Sequence, residues 1–173
     1  ELVMIHDDTL DRTTNGSGFV SLHSLSEIQA LDAGSWFKPE FTGECVPKMS
    51  EYIECVLDHG LGLQLELKSM FGQEDRLASA VIKQIKPYLS ALKHKFYFSS
   101  FSERCLRHLN NAYPSIPLAL ALTVVPLNLD TIAKQTAASI IHVNDDFLDD
   151  NNLKRISQSK VEIAVATINS RSR

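Results

Sequence analysis

The 173 residues are 44% hydrophobic and 22% charged, with 17 Lys and Arg against 21 Asp and Glu, for a formal net charge of −4. That composition excludes a disordered chain, and its scattered basic residues argue against a nucleic-acid-binding surface. No apolar run reaches the roughly 18–20 residues of a membrane span, and the opening ELVMIHDDTLDR has neither region of a signal peptide, so a cytoplasmic protein without stable membrane insertion is expected.

Leu2 to Ile5 is an apolar run ending at His6-Asp7-Asp8 and reads as a strand. Asp11 to Gly18 (DRTTNGSG) is a polar loop whose Asn-Gly suits a turn. Ser24-Leu25-Ser26-Glu27 has a capping-box signature ahead of Ile28 and Leu31. Tyr52, Ile53, Val56 and Leu57 share one helical face, and a strand over Leu61 to Lys68 follows. Leu77, Val81, Ile85 and Tyr88 stand at helical spacing ahead of a strand at Phe96 to Ser99. Ser102 reads as the N-cap of a helix carrying Leu106 and Leu109. Strands at Leu118 to Leu122, Ser139 to Val143 and Val161 to Thr167 are separated by helices over Leu127 to Ala137 and Asp149 to Ser157.

Repeated strand–helix units mean an α/β protein with a parallel sheet covered by helices. About six strands fall short of the eight in a closed (β/α)8 barrel, which takes about 250 residues, so the count alone favours an open sheet. Against this, the chain opens within a strand and stops at Ala166-Thr167-Ile168-Asn169, where a strand should pass into a helix, so both ends read as cut. Cys45, Cys55 and Cys105 are odd in number and far apart, without a CxxC pair, and read as small buried side chains in a reducing compartment.

The segment Leu63-Gln64-Leu65-Glu66-Leu67-Lys68 carries the most chemistry. Period-two geometry puts the three leucines on one face and Gln64, Glu66 and Lys68 on the other. A satisfied Glu66–Lys68 pair in a polar interior is the plain reading. The favoured one puts both residues at the carboxyl end of a strand, where parallel α/β proteins build their sites. A carboxylate there suits a hard divalent cation, and a lysine suits a phosphate oxygen. His6-Asp7-Asp8 also follows a strand, and histidine serves as acid or base near neutral pH. His23, His59, His94, His108 and His142 read as surface or helix-end residues, and of these only His142, again after a strand, could face the site. The DRTTNGSG loop lacks the spacing of a phosphate cradle, and Trp36-Phe37 could wall a pocket or pack in a core.

In order along the chain, these segments resemble the glycerophosphodiester phosphodiesterase family in its bacterial cytosolic branch. VMIHDDTLDRTTNGSG resembles the family's His-Asp segment and its Arg-Thr-Thr-x-Gly loop. LDAGSWFKPEFTGECVPKMSEYIE resembles its small insertion, LQLELK its Glu-x-Lys strand, FSSF its Ser-Phe turn, and IIHVN and ATIN its last internal strands. The resemblance implies a TIM barrel with a small insertion after strand 2, seen here as strands 2 to 7, with residues 9–49 as the insertion within one domain. The opening His-Arg-Gly motif, a Glu-x-Asp pair and the eighth strand have no counterpart in these residues.

By resemblance, Glu66 ligates a Mg2+ or Ca2+ ion, Lys68 contacts the substrate phosphate, and His6 is the catalytic histidine that protonates the departing alcohol. Asp7 orients its loop, and Gln64 stands where the family would have asparagine. The implied activity is metal-dependent hydrolysis of small glycerophosphodiesters such as glycerophosphocholine to glycerol 3-phosphate and an alcohol, within glycerophospholipid catabolism. Related alternatives are a phosphodiesterase for lysophospholipids or glycerophosphoinositol, and a non-catalytic barrel used for binding.

Overall fold

The computed structural model describes residues 1–93 and 95–169; His94 lies outside the described residues. The chain divides into two compact units. One comprises Glu1–Leu61 and Lys83–Ala91, the other Gly62–Ile82 and Leu92–Arg173.

The first unit holds the helices α1 (Leu25–Gln29) and α2 (Met49–Asp58). The capping box forms as the sequence predicts: the Ser24 hydroxyl accepts from the Glu27 amide at 3.3 Å, and the Ser24 amide donates to Glu27 Oε2 at 2.7 Å. A small core gathers Leu10, Ile28 and Val46 with Val3, Ile5, Val20, Leu31 and Ala33 packed against it. Leu2 to Ile5 differs from expectation. Val3 makes only an isolated antiparallel bridge with Lys48, with Met4 N donating to Pro47 O and Met49 N to Leu2 O. The run spends its backbone groups on that returning loop and is not one of the strands of the main sheet. The loop after α1 is organised by Asp32, whose carboxylate accepts from the amides of Gly34, Ser35 and Gly43. Glycine is required at 34, where a Cβ would lie 1.9 Å from the Phe41 carbonyl oxygen. On α2 the buried residues are Met49, Ile53 and Val56, whereas Tyr52, expected on that face, is exposed.

The second unit is built on five strands: β1 (Leu63–Leu67), β2 (Phe96–Ser100), β3 (Leu118–Leu122), β4 (Ile140–Asn144) and β5 (Glu162–Ala166). The helices in the intervening chain are α3 (Glu74–Ile85), α4 (Leu89–Leu92), α5 (Glu103–Ala112), α6 (Leu129–Thr136) and α7 (Asp150–Ser157), of which α4 and the end of α3 fall in the first unit's span or at its border. All strand pairs are parallel, and the order is strictly sequential, β1-β2-β3-β4-β5, as in consecutive strands of a TIM barrel.

Register sorts the side chains into two layers. Leu63, Leu65 and Leu67 align with Phe96, Phe98 and Ser100, and Leu118 and Leu120 continue the row into Ile141 and Val143, all buried. Helix α5 packs Leu106 and Leu109 on β2 and β3. Ser102 caps α5 as predicted, accepting from the Cys105 amide at 3.2 Å. The opposite layer is polar or small: Gln64 and Glu66, Tyr97 and Ser99, Ala119 and Ala121, His142 and Ala164. Among the described residues no helix is long and apolar enough to cross a membrane.

The cysteines depart in part from expectation. Cys105 is buried on the inner face of α5, whereas Cys45 and Cys55 are exposed. Cys55 lies off the stripe of α2 made by Met49, Ile53 and Val56, which is why it stays outside.

Candidate functional site

In the second unit, alternation along β1 sends Gln64 and Glu66 to the polar layer, and Lys68 follows directly after the strand on the same side. Lys68 Nζ lies 3.5 Å from Glu66 Oε1, both side chains about a quarter exposed. The pair is close enough to feel its charge but is not aligned as a hydrogen bond: Glu66 Oε1 is buried and has no hydrogen-bond partner. A buried carboxylate oxygen without a hydrogen bond is costly even beside a cation, and has capacity for a further partner. Both residues stand at the carboxyl end of β1, and at the same level Ser100 turns the end of β2, donating to Leu67 O at 2.7 Å and accepting from the Ser102 amide.

Deeper in the same layer is a cluster that the sequence reading did not assemble. The Tyr97 hydroxyl donates to Gln64 Oε1 at 2.9 Å, and Gln64 Nε2 donates to Ser99 Oγ at 3.1 Å. His142 closes the loop, with Nδ1 at 3.3 Å from Gln64 Nε2 and Nε2 at 3.2 Å from the Tyr97 oxygen. Each donor is used once if His142 is neutral with its proton on Nε2, so that Nδ1 accepts from Gln64 and Nε2 donates to Tyr97. Burial lowers the His142 pKa, against an opposing pull from the Glu66 charge, which agrees with the neutral ring. Strands β2 and β4 are not neighbours; the small Ala119 and Ala121 on β3 leave room for Tyr97 and His142 to meet across it. The signal for this cluster was present in Phe96-Tyr97-Phe98-Ser99, which alternates as LQLELK does.

In the first unit, His6 Nδ1 lies 2.7 Å from Asp7 Oδ1. Arg12 grips the same carboxylate from the other side, Nε donating to Oδ2 at 2.6 Å and a terminal nitrogen donating to Oδ1 at 2.7 Å. That guanidinium, with His6 also contributing, holds the Asp7 carboxyl far below the usual carboxylate range. Arg12 also comes within 3.4 Å of His6 Nδ1, but an Nδ1–H given to the shorter Asp7 contact leaves no acceptor there. With Nδ1 engaged by Asp7, Nε2 is the ring nitrogen available to another partner. The predicted residues thus fall into two sets, Glu66 with Lys68 in one unit and His6 with Asp7 in the other.

Three further histidines match the plain reading: His59 is exposed at the end of α2, His23 bonds locally to Phe19 O, and His108 on α5 meets Ser79 on α3. Trp36, Phe37 and Phe41 are exposed, not core residues, and stack edge to tilted face with centroids 5.8 and 5.7 Å apart. A cavity of about 480 Å3 opens beside Gly62, Lys95, Pro117 and Glu162, at the amino-terminal ends of the strands and so opposite to Lys68. Among the described residues no three His, Cys, Asp or Glu side chains gather into a metal-binding group. Glu66 fits a divalent cation by its chemistry and its orphaned oxygen, but as one ligand.

The model of the glycerophosphoryl diester phosphodiesterase family matches residues 1–173. A glycerophosphodiester phosphodiesterase of Caldanaerobacter subterraneus subsp. tengcongensis is 38% identical over 119 residues, covering 69% of this chain and 48% of its own. One of Bacillus subtilis is 32% identical over 151 residues, covering 81% and 50%. The chain therefore spans about half the length of the curated relatives it matches. Among solved structures, an Oleispira antarctica phosphodiesterase in complex with the product sn-glycerol-3-phosphate superposes with a TM-score of 0.90 at 30% identity, over 98% of this chain and 68% of that one.

Proposed function

Since this chain belongs to the glycerophosphoryl diester phosphodiesterase family, we propose that the protein carrying it hydrolyses small glycerophosphodiesters to glycerol 3-phosphate and an alcohol, with a divalent metal as cofactor. The observation that carries this reading is the buried Glu66 Oε1, without a hydrogen bond, beside Lys68 at the carboxyl end of β1. Glycerol 3-phosphate as the product of the Oleispira relative supports the substrate class. The three free cysteines agree with a cytoplasmic setting, and glycerophospholipid catabolism is the process such a reaction serves. Residues 9–49 act as an insertion within a single barrel domain.

A phosphodiester is a monoanion with a poor alkoxide leaving group. Lys68 would hold a phosphoryl oxygen and offset the charge that builds there. Glu66 would be one oxygen ligand of Mg2+ or Ca2+, and a bound cation supplies further neutralisation of the phosphoryl oxygens. His6, protonated on both ring nitrogens with Nδ1–H held by Asp7, would give the Nε2 proton to the departing oxygen, a task typically worth about 10²–10⁴-fold. The attacking oxygen is water or the neighbouring glycerol hydroxyl.

The test uses the complete reading frame that carries this sequence. Glycerol 3-phosphate release from glycerophosphocholine is measured with Mg2+ or Ca2+ and with chelator. Release should require metal, and His6→Ala and Glu66→Ala should each lower turnover by about 10²-fold or more while the folded state is kept. Near-normal turnover in both variants would reject the site, and no release from a folded wild type would favour a barrel that only binds. The exposed Trp36, Phe37 and Phe41 favour a second reading, a lysophospholipid substrate, which a preference for lysophosphatidylcholine in the same assay would reveal.

A further inference from the structure

The contacts of Arg12 form a chain that runs past the histidine itself. Its guanidinium takes both oxygens of Asp7, and Asp7 takes His6 Nδ1. Behind it, Arg12 Cζ stands 5.8 Å from the centroid of the Trp36 ring. Trp36 is itself fixed, its indole Nε1 donating to Ala33 O at 2.9 Å, one residue from the Asp32 carboxylate that gathers three loop amides. The loop bearing Arg12 is pinned by Leu10 N to Gly18 O at 2.9 Å and Thr14 N to Leu10 O at 3.1 Å.

A single bond from His6 would leave the Asp7 carboxylate free to turn about its own axis. A two-pronged guanidinium fixes the plane of that carboxylate, and so fixes where Nδ1 must point. A cation above an indole face is attracted to it, so the ring steadies the guanidinium in turn. We infer that Arg12 is a positioning residue for His6, and that Trp36 acts on the same histidine through Arg12. The inference rests on the reading of His6 as the proton donor. It assigns Arg12 no contact with substrate, and it ties the loop around Trp36 to the catalytic group.

The test measures kcat and KM for glycerophosphocholine in the complete protein. Arg12→Met should lower kcat on the order of 10–100-fold, by analogy with the loss when the partner that orients a metal-bound histidine is removed, with KM within about threefold. Arg12→Lys should be nearly as poor, because it keeps the charge and loses the fork. Trp36→Leu should lower kcat about threefold alone and not at all in the Arg12→Met background. A rise confined to KM would mean that Arg12 holds the substrate phosphate, and full activity in Arg12→Lys or additive losses in the double variant would likewise overturn the inference. Both side chains are about half exposed, so the variants should melt as the wild type does. A readout independent of turnover separates this inference from the assigned reaction. Nitrogen-15 spectra of His6 in its neutral form should show the single proton held on Nδ1 in the wild type and exchanging between both ring nitrogens in Arg12→Met. An unchanged spectrum in the variant would overturn the inference even if the enzyme were inactive.

Discussion

Lys68 and Glu66 sit two residues apart, yet they should fail differently when replaced. Glu66 offers an oxygen that no protein group hydrogen-bonds, so on the proposed reading its loss would remove a ligand position. Lys68 offers a mobile point charge, so its loss removes one charge-assisted contact, worth about 1.5–3 kcal/mol. Lys68→Met should therefore reduce kcat/KM roughly tenfold to a hundredfold while activity stays dependent on metal. Steady-state kinetics with and without chelator checks both halves; activity independent of Lys68 would return the pair to a simple ion pair of a polar interior. Their shared face was legible in the sequence, because alternation along a strand with three leucines leaves the other three side chains only one face to occupy. The proposed role of His6 rests on the order of motifs alone. The Arg12–Asp7 contact behind it was not legible, since a contact five residues apart in a loop follows no period.

At the level of elements, the loop around Asp32 is held by charge more than by apolar contact. Amides of Ser35, Gly34 and Gly43 converge on the Asp32 carboxylate and lower its pKa from 3.8 to about 2. A carboxylate depressed in this way contributes its full stability above the unfolded value, near 3.8, and loses it as pH falls through about 2. The loop should therefore stay closed down to about pH 4 and open between about pH 4 and 2. Trp36 emission, isolated by difference against Trp36→Phe, reports that opening. In Asp32→Asn the acid transition should vanish, and an unchanged transition would place the acid-sensitive group elsewhere. Helix ends such as Ser24 and Ser102 were readable because a cap is a local pattern of hydroxyl and amide. Leu2 to Ile5 was not: four apolar residues fit a strand or a bridged loop equally, and the partner at Pro47 to Met49 is distant in sequence. Cys45 and Cys55 were misread because small size alone does not decide a face.

For the sheet as a whole, the polar layer ties β1, β2 and β4 through Gln64, Tyr97 and His142. The ring is neutral in that arrangement, and burial lowers its pKa from the ordinary 6.5. A histidine depressed on folding binds fewer protons in the native state than in the unfolded one. Stability therefore falls as pH drops below about 6.5 and levels off only once the folded pKa is passed. Thermal melting of the complete protein should show a midpoint loss between pH 8 and pH 5.5 that exceeds that of His142→Gln by about 2 °C or more. Equal losses would mean that protonation elsewhere sets the acid sensitivity. The parallel sheet was legible from the alternation of elements; its inner network was not, because it joins strands that are not neighbours.

The strictly sequential strand order has a bearing on how the chain is made. Each strand from β2 onward pairs with the one synthesised just before it, so no ladder in this sheet waits for a distant segment to arrive. The paired residues stand 20 to 33 positions apart, which leaves room for little more than the crossover a parallel pair needs. On the ribosome, β2 can dock on β1, and β3 on β2, as each leaves the exit tunnel, so the sheet can grow at the pace of translation. A slow stretch of codons after β3 would then pause a partly built sheet and not a tangle.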